Sequence, residues 1–151
     1  MDSVSIKNFT RQHSKVLEGL PFTEVAEDIL PGWNISLVFV GTTRASELNR
    51  QLRKKKYAPN VLSYVVGEKN AEIIVCPPAA VREASSHGLT PRAYCLLLFI
   101  HAALHIKGWA HSAKMEKCER KLVAKYGATN SHRNRYRHVP GKNGSRRGAV
   151  R

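Results

Sequence analysis

Aromatic residues, acidic residues and long apolar runs are all scarce in this chain, and each shortage narrows what it can be. Aromatics make up 7% of the 151 residues, so the core must rest on Leu, Ile, Val and Ala. Hydrophobic residues still reach 42%, enough for one globular domain around a single core. No apolar run attains the roughly 18 residues that a membrane span needs. The longest, Ala93 to Ile106, is interrupted by His101 and His105. No membrane partner is therefore expected. The opening Met1-Asp2-Ser3 has no basic region followed by an apolar one, so no signal peptide is expected. Cysteines number 3 (Cys76, Cys95 and Cys118) and lack CxxC spacing. That count argues against a disulfide framework and fits a reducing compartment, each cysteine serving as a small buried hydrophobe. A cytoplasmic protein is expected.

The shortage of acids has a functional side. Lys and Arg total 25 against 11 Asp and Glu, a formal net charge of +14. Such an excess favours a polyanionic partner, because each neutralised phosphate releases condensed counterions. Part of it falls late, at Arg133, Arg135, Arg137, Lys142, Arg146, Arg147 and Arg151. A second concentration lies in one short stretch, at Arg50, Arg53, Lys54, Lys55 and Lys56. Nucleic acid is the expected partner.

Periodicity and punctuation predict an α+β domain. Phe9, His13, Val16 and Leu17 have helical spacing within Asn8 to Gly19. A short helix is expected over Phe22 to Leu30, closed by Pro31-Gly32, and a β-branched strand over Ile35 to Val40. Thr42 or Thr43 is a candidate cap for a helix to Arg53 with Leu48 and Leu52 facing inward. Lys54 to Pro59 reads as a basic loop. Val61 to Val66 and Glu72 to Cys76 read as strands close enough for an antiparallel hairpin, the second ended by Pro77-Pro78. Ala79 to Ser86 follows as a helix, closed by His87-Gly88. Thr90 then caps, and Pro91 opens, a helix that runs through Lys107 and stops at Gly108. A last helix fits Ala113 to Tyr126. From Ala128 the chain turns to Asn, Ser, Arg, Gly and Pro without a hydrophobic period, so residues 1–127 are expected to form the domain and 128–151 a basic, disordered tail. No internal repeat is present. The expected architecture is a small mixed β-sheet covered by helices.

The chemistry concentrates in the helix that ends at Gly108. His101 and His105 are four residues apart, so both imidazoles lie on one face. Gly108 permits a sharp turn, and His111 follows three residues later, completing HxxxHxxGxxH. A single histidine on an apolar helix is ordinarily a hydrogen-bonded core residue. Two at this spacing, with a glycine and a third histidine beyond, point to one Zn²⁺ on three neutral imidazoles with a fourth position open to water. Bound Zn²⁺ brings the pKa of a water to about 7 and polarises phosphoryl oxygens. His13, His87, His132 and His138 lack such partners and are expected in surface or capping roles. Metzincin proteases share the spacing, but they carry a glutamate base after the first histidine. Here Ala102 stands at that position and cannot take a proton, which disfavours peptide hydrolysis.

Four blocks in order resemble the YbeY family of bacterial endoribonucleases, which act in ribosomal RNA maturation. The stretch His101-Ala102-Ala103-Leu104-His105-Ile106-Lys107-Gly108-Trp109-Ala110-His111 matches the family's HGxLHLxGYDH. Leu48-Asn49 with Arg53, then Asn60-Val61-Leu62-Ser63-Tyr64, match its helix end and DVLSF-like strand. Glu72-Ile73-Ile74-Val75-Cys76 matches its GEIxI strand, and Met115-Glu116-Lys117-Cys118-Glu119 its final helix. The likeness covers about residues 34–127. The chain departs from the family in having Ala102 for a glycine, Ala110 for the aspartate before the third histidine, Ala71 for a glycine and Pro59 for a threonine. The segment from His111 to Met115 is also shorter, and the basic tail is extra.

The resemblance implies a metal helix packed across the sheet, cleavage of single-stranded RNA, small-subunit ribosomal RNA as substrate, and Arg53 facing the metal cleft. On this reading His101, His105 and His111 hold Zn²⁺. Arg53 and His101 are the candidate catalytic residues, with Arg53 stabilising charge on the phosphoryl group. Arg50, Arg53, Lys54, Lys55 and Lys56 are the candidate RNA-binding residues. Ribosomal proteins are further candidate partners. Asn49 and Ser63 either line the site or close their helix and strand. Glu116 and Glu119 are expected to face solvent or to pair with nearby lysines. The alternative function is a ribosome-associated RNA-binding factor with a structural or vestigial zinc.

Overall fold

The structure, a computed structural model, describes residues 3–10 and 13–127. The expected basic tail lies outside them. Four strands form one sheet in the order β1 (Val4–Asn8), β2 (Asn34–Phe39), β4 (Asn70–Val75), β3 (Val61–Gly67). β1 runs parallel to β2 and β2 parallel to β4. β3 is antiparallel to β4, with Val61 opposite Val75, so the expected hairpin forms. Lys69 takes a left-handed φ of 55° in its turn. The sheet is mixed and the fold α+β, as the sequence leads one to expect.

Alternation along the strands divides the apolar residues between two faces. Ile35, Leu37 and Phe39 of β2, Val61 of β3, and Ala71, Ile73 and Val75 of β4 join the larger core. Val40, Leu62, Ile74 and Cys76 join a smaller one with Ala45 and Ala79. The larger core is closed by α5 (Pro91–Lys107), in which every residue from Ala93 to Leu104 is buried. A helix buried all round needs cover on every side. α5 obtains it from β3, β4, α1 (Ser14–Leu17), α2 (Phe22–Ile29), α4 (Pro77–Glu83) and α6 (Ala113–Gly127). The smaller core lies under α3 (Thr42–Arg53), which buries only Ala45 and Asn49. Thr90 caps α5 by accepting from the Ala93 amide at 3.1 Å, Pro91 fills its first position, and Gly108 ends it at φ 109°.

Several expectations are corrected. A helix does not start at Asn8. The Asn8 side chain instead accepts from the amide and hydroxyl of Thr10 at 2.8 and 2.6 Å, turning the chain out of an unforeseen strand, and the helix shrinks to Ser14–Leu17. Neither Thr42 nor Thr43 caps α3, because Gly41 occupies the cap position without a side-chain bond. Leu48 is half-buried, but Leu52 faces solvent at 47% exposure. Pro77-Pro78 opens α4 rather than merely ending a strand, since the first turn of a helix has amides to spare. Among the described residues, no single helix is long and apolar enough to cross a membrane. The pair Pro77–His87 and Pro91–Lys107 passes that test only jointly, across a 104° bend.

Candidate metal centre

The end of α5 and the turn behind it bring His101, His105 and His111 together. Their imidazole centroids lie 4.5, 5.1 and 4.4 Å apart, pair by pair. One nitrogen from each falls within 4.8 Å of the others. His101 is buried, His105 half-buried and His111 exposed, so the group opens from the core to the surface. Gly108 makes this possible: its left-handed φ turns the chain after Lys107 and lets the Trp109 amide reach the Leu104 carbonyl at 3.0 Å.

Hydrogen bonds at the far edges of two rings fix which nitrogens converge. His101 Nδ1 is 2.5 Å from Glu119 Oε2, and His105 Nδ1 is 2.9 Å from the Trp109 carbonyl. Both partners are acceptors, so in a neutral ring each Nδ1 donates and each Nε2 keeps its lone pair. His105 Nε2 faces His111 Nε2 at 3.2 Å. His101 Nε2 is buried without a hydrogen-bond partner. A buried acceptor left bare beside two other imidazoles is the arrangement a metal ion would satisfy, and the donor set fits Zn²⁺ chemistry. Burial holds the His105 pKa below the ordinary imidazole value, against the opposing bond to the Trp109 carbonyl. A neutral ring is the form that ligates.

Glu119 corrects the expectation that it faces solvent: it is 5% exposed, whereas Glu116 one turn earlier is exposed. Its place was signalled in the sequence. Met115, Cys118, Leu122 and Tyr126 mark the apolar stripe of α6, and Glu119 is the one carboxylate on it. α6 itself is pinned by the Ser112 hydroxyl accepting from the Met115 amide at 3.1 Å and by Tyr126 donating to Asp28 at 2.6 Å.

The basic residues occupy a different element. Arg50 and Arg53 lie in the last turn of α3, and Lys54 follows at a left-handed φ of 60°. These three, with Lys55 and Lys56, are exposed. No hydrogen bond, ion pair or ring contact among the described residues joins any of the five to the histidines. Asn49 anchors their loop. Fully buried, it donates to the Tyr57 carbonyl at 2.9 Å, and its own carbonyl accepts from the Lys55 amide at 3.3 Å. Asn49 thus closes its helix end. Ser63 is half-buried on β3. The loop leads to Asn60, within 3.5 Å of the Tyr94 hydroxyl on α5. Tyr94 precedes His101 by two turns on the same helix face, a distance of about 10 Å.

Two histidines on a buried helix of an α+β domain, with a third on the turn behind it, form a group that could hold a metal ion. The sequence model of the family described as endoribonuclease YbeY matches residues 2–127. The chain belongs to that family. The endoribonuclease YbeY of Polynucleobacter asymbioticus is 36% identical over 107 residues, covering 65% of this chain and 69% of that protein. The protein of the same name from Burkholderia pseudomallei is 36% identical over 106 residues, covering 63% of this chain and 58% of that protein. The fold is similar to a solution structure of TM1509 from Thermotoga maritima, with a TM-score of 0.63 and 26% identity over 93% of this chain and 99% of that one.

Proposed function

We propose that this chain is a zinc-dependent endoribonuclease that cuts single-stranded RNA in the cytoplasm during ribosomal RNA maturation and ribosome quality control, with small-subunit ribosomal RNA as substrate and ribosomal proteins as further partners. The observation that carries the metal is the unpartnered, buried Nε2 of His101 beside His105 and His111. The names of the relatives supply the reaction class. His101, His105 and His111 would hold the ion. When bound, Zn²⁺ supplies Lewis-acid polarisation of a phosphoryl oxygen and a water of lowered pKa.

The chain's own residues take the remaining tasks. The Arg53 guanidinium offers a planar fork to phosphate. Arg50, Lys54, Lys55 and Lys56 hold the RNA backbone as exposed charges on a loop that Asn49 fixes. Glu119 is engaged at the Nδ1 edge of His101, opposite the converging nitrogens, so it is not poised as a general base. Ala102 supplies none either.

The test is cleavage of labelled single-stranded RNA by the purified chain, with and without chelator, beside His101→Ala and His105→Ala. Cutting that stops with chelator and in both variants is expected. If the variants lose zinc yet cut unchanged, the catalytic-metal reading fails. Tight RNA binding with no cutting at any metal concentration would favour an RNA-binding factor with a structural zinc.

A further inference from the structure

We propose that Glu119 is a positioning residue for the metal centre: by accepting from His101 Nδ1, it locks the tautomer and ring plane of the most buried ligand. The inference rests on the metal reading of the three histidines. A neutral imidazole carries one N–H, and an ionised carboxylate can only accept. With Glu119 Oε2 2.5 Å from Nδ1, the proton is held on that edge and the Nε2 lone pair is directed at the other two rings. Without Glu119, the His101 side chain would be free to place its proton on Nε2, the form that cannot ligate through the nitrogen facing the other two rings.

The arrangement is specific to His101. His105 gets the same service from the Trp109 carbonyl, a backbone group set by the turn at Gly108. His101 lies within the continuously buried part of α5, where backbone carbonyls are engaged along the helix. Its acceptor must therefore arrive on a side chain from another element. α6 packs on α5 and supplies it, from a position where an apolar residue would continue the stripe. Side-chain exposures of 3% and 6% show that the pair is shut away from solvent, so water offers His101 Nδ1 no ready substitute. Carboxylate partners of this kind fix ligand orientation, and their loss lowers metal affinity by about 10- to 100-fold.

The experiment measures Zn²⁺ affinity by competition with a chromogenic chelator, in the full chain and in Glu119→Ala, Glu119→Gln and Glu116→Ala. Nitrogen-15 NMR of the imidazoles in the metal-free proteins reports the tautomers. Glu119→Ala is expected to bind Zn²⁺ about 10- to 100-fold more weakly, and to show His101 as a tautomer mixture. Glu119→Gln keeps an accepting carbonyl in nearly the same volume, so it should retain the Nδ1–H tautomer and most of the affinity. Glu116→Ala should match the parent chain. If Glu119→Ala fails to fold, the Gln variant and the parent's own spectrum still decide: a parent His101 with its proton on Nε2 overturns the proposal. So does unchanged affinity in Glu119→Ala, or an equal loss in Glu116→Ala. If the parent binds no Zn²⁺ at all, the metal reading falls instead. The tautomer is a readout that a purely structural role for Glu119 would not move.

Discussion

The two faces of the sheet are built to different standards. Under α5 the core is continuous, and a helix buried on all sides carries His101 within it. Under α3 the core is small, the covering helix buries two residues, and a run of exposed cations follows it. Rigid packing is what a metal centre needs, because ligand nitrogens must hold their positions before the ion arrives. An exposed, tethered loop suits contact with a flexible polyanion, where charge counts for more than exact placement. The proposed division of labour, chemistry on one face and grip beside the other, follows from that contrast.

The contrast can be broken or sharpened by experiment. The largest expected effect is on the α5 face. Leu98→Ala should cost about 2 to 5 kcal/mol in denaturant unfolding, since it opens a cavity in a fully buried site. Leu48→Ala beneath α3 is half-buried and should cost no more than about 1.5 kcal/mol. Comparable losses would erase the distinction between the faces. Asn49→Ala removes the tether of the basic loop and should cost about 0.5 to 1.5 kcal/mol, because it deletes a part-buried hydrogen bond.

Replacing Lys54, Lys55 and Lys56 together by alanine should weaken RNA binding and flatten its salt dependence, by about one unit of log–log slope for each phosphate no longer neutralised. An unchanged slope would move the RNA-binding surface elsewhere.

The faces should also differ in pH response. The folded-state pKa of His105 is lowered by burial, so the unfolded chain binds more protons below the ordinary value of 6.5. The metal-free protein should therefore keep the His105 contribution above that pH and lose it as pH falls. Tyr64, on the α3 side, is pushed up to about 12 by burial and by its hydrogen bond to Glu72. Its contribution is present below 10, its ordinary value, and lost as pH rises through about 12. Thermal melts of the parent, His105→Ala and Tyr64→Phe at both extremes check the two signs. The smallest effect is expected for Tyr126→Phe, which removes an exposed bond to Asp28 and should cost about 0.5 to 1 kcal/mol.

Legibility in the sequence tracked the source of each feature. The ends of α5 were readable because Thr90, Pro91 and Gly108 act locally, and the three histidines because one helix and one turn carry them all. The β3–β4 hairpin was readable from two neighbouring β-branched runs. β1 was not: Val4-Ser5-Ile6-Lys7 alternates over only four residues, it buries only Val4, and it is held by backbone pairing to a strand some thirty residues away. Leu52 misled because a leucine at helical spacing carries no mark of where the covering helix ends. Glu119 was misread because charge suggested solvent, while its position on the stripe of α6 gave the better answer. The proximity of its carboxylate to His101, 18 residues earlier, is a fact of tertiary packing alone.

The strand order has a consequence for the timing of assembly. Synthesis produces β1 first, yet that strand ends at the margin. β4, beside which both β2 and β3 must dock, is the last of the four to emerge. The sheet cannot close until some seventy-five residues exist, and α5, α6 and the turn bearing His111 come later still. Elongation proceeds at about 5 to 20 residues per second, so the histidine cluster is completed seconds after the first strand leaves the ribosome. The candidate metal centre is therefore assembled late, after every strand of the sheet has been synthesised.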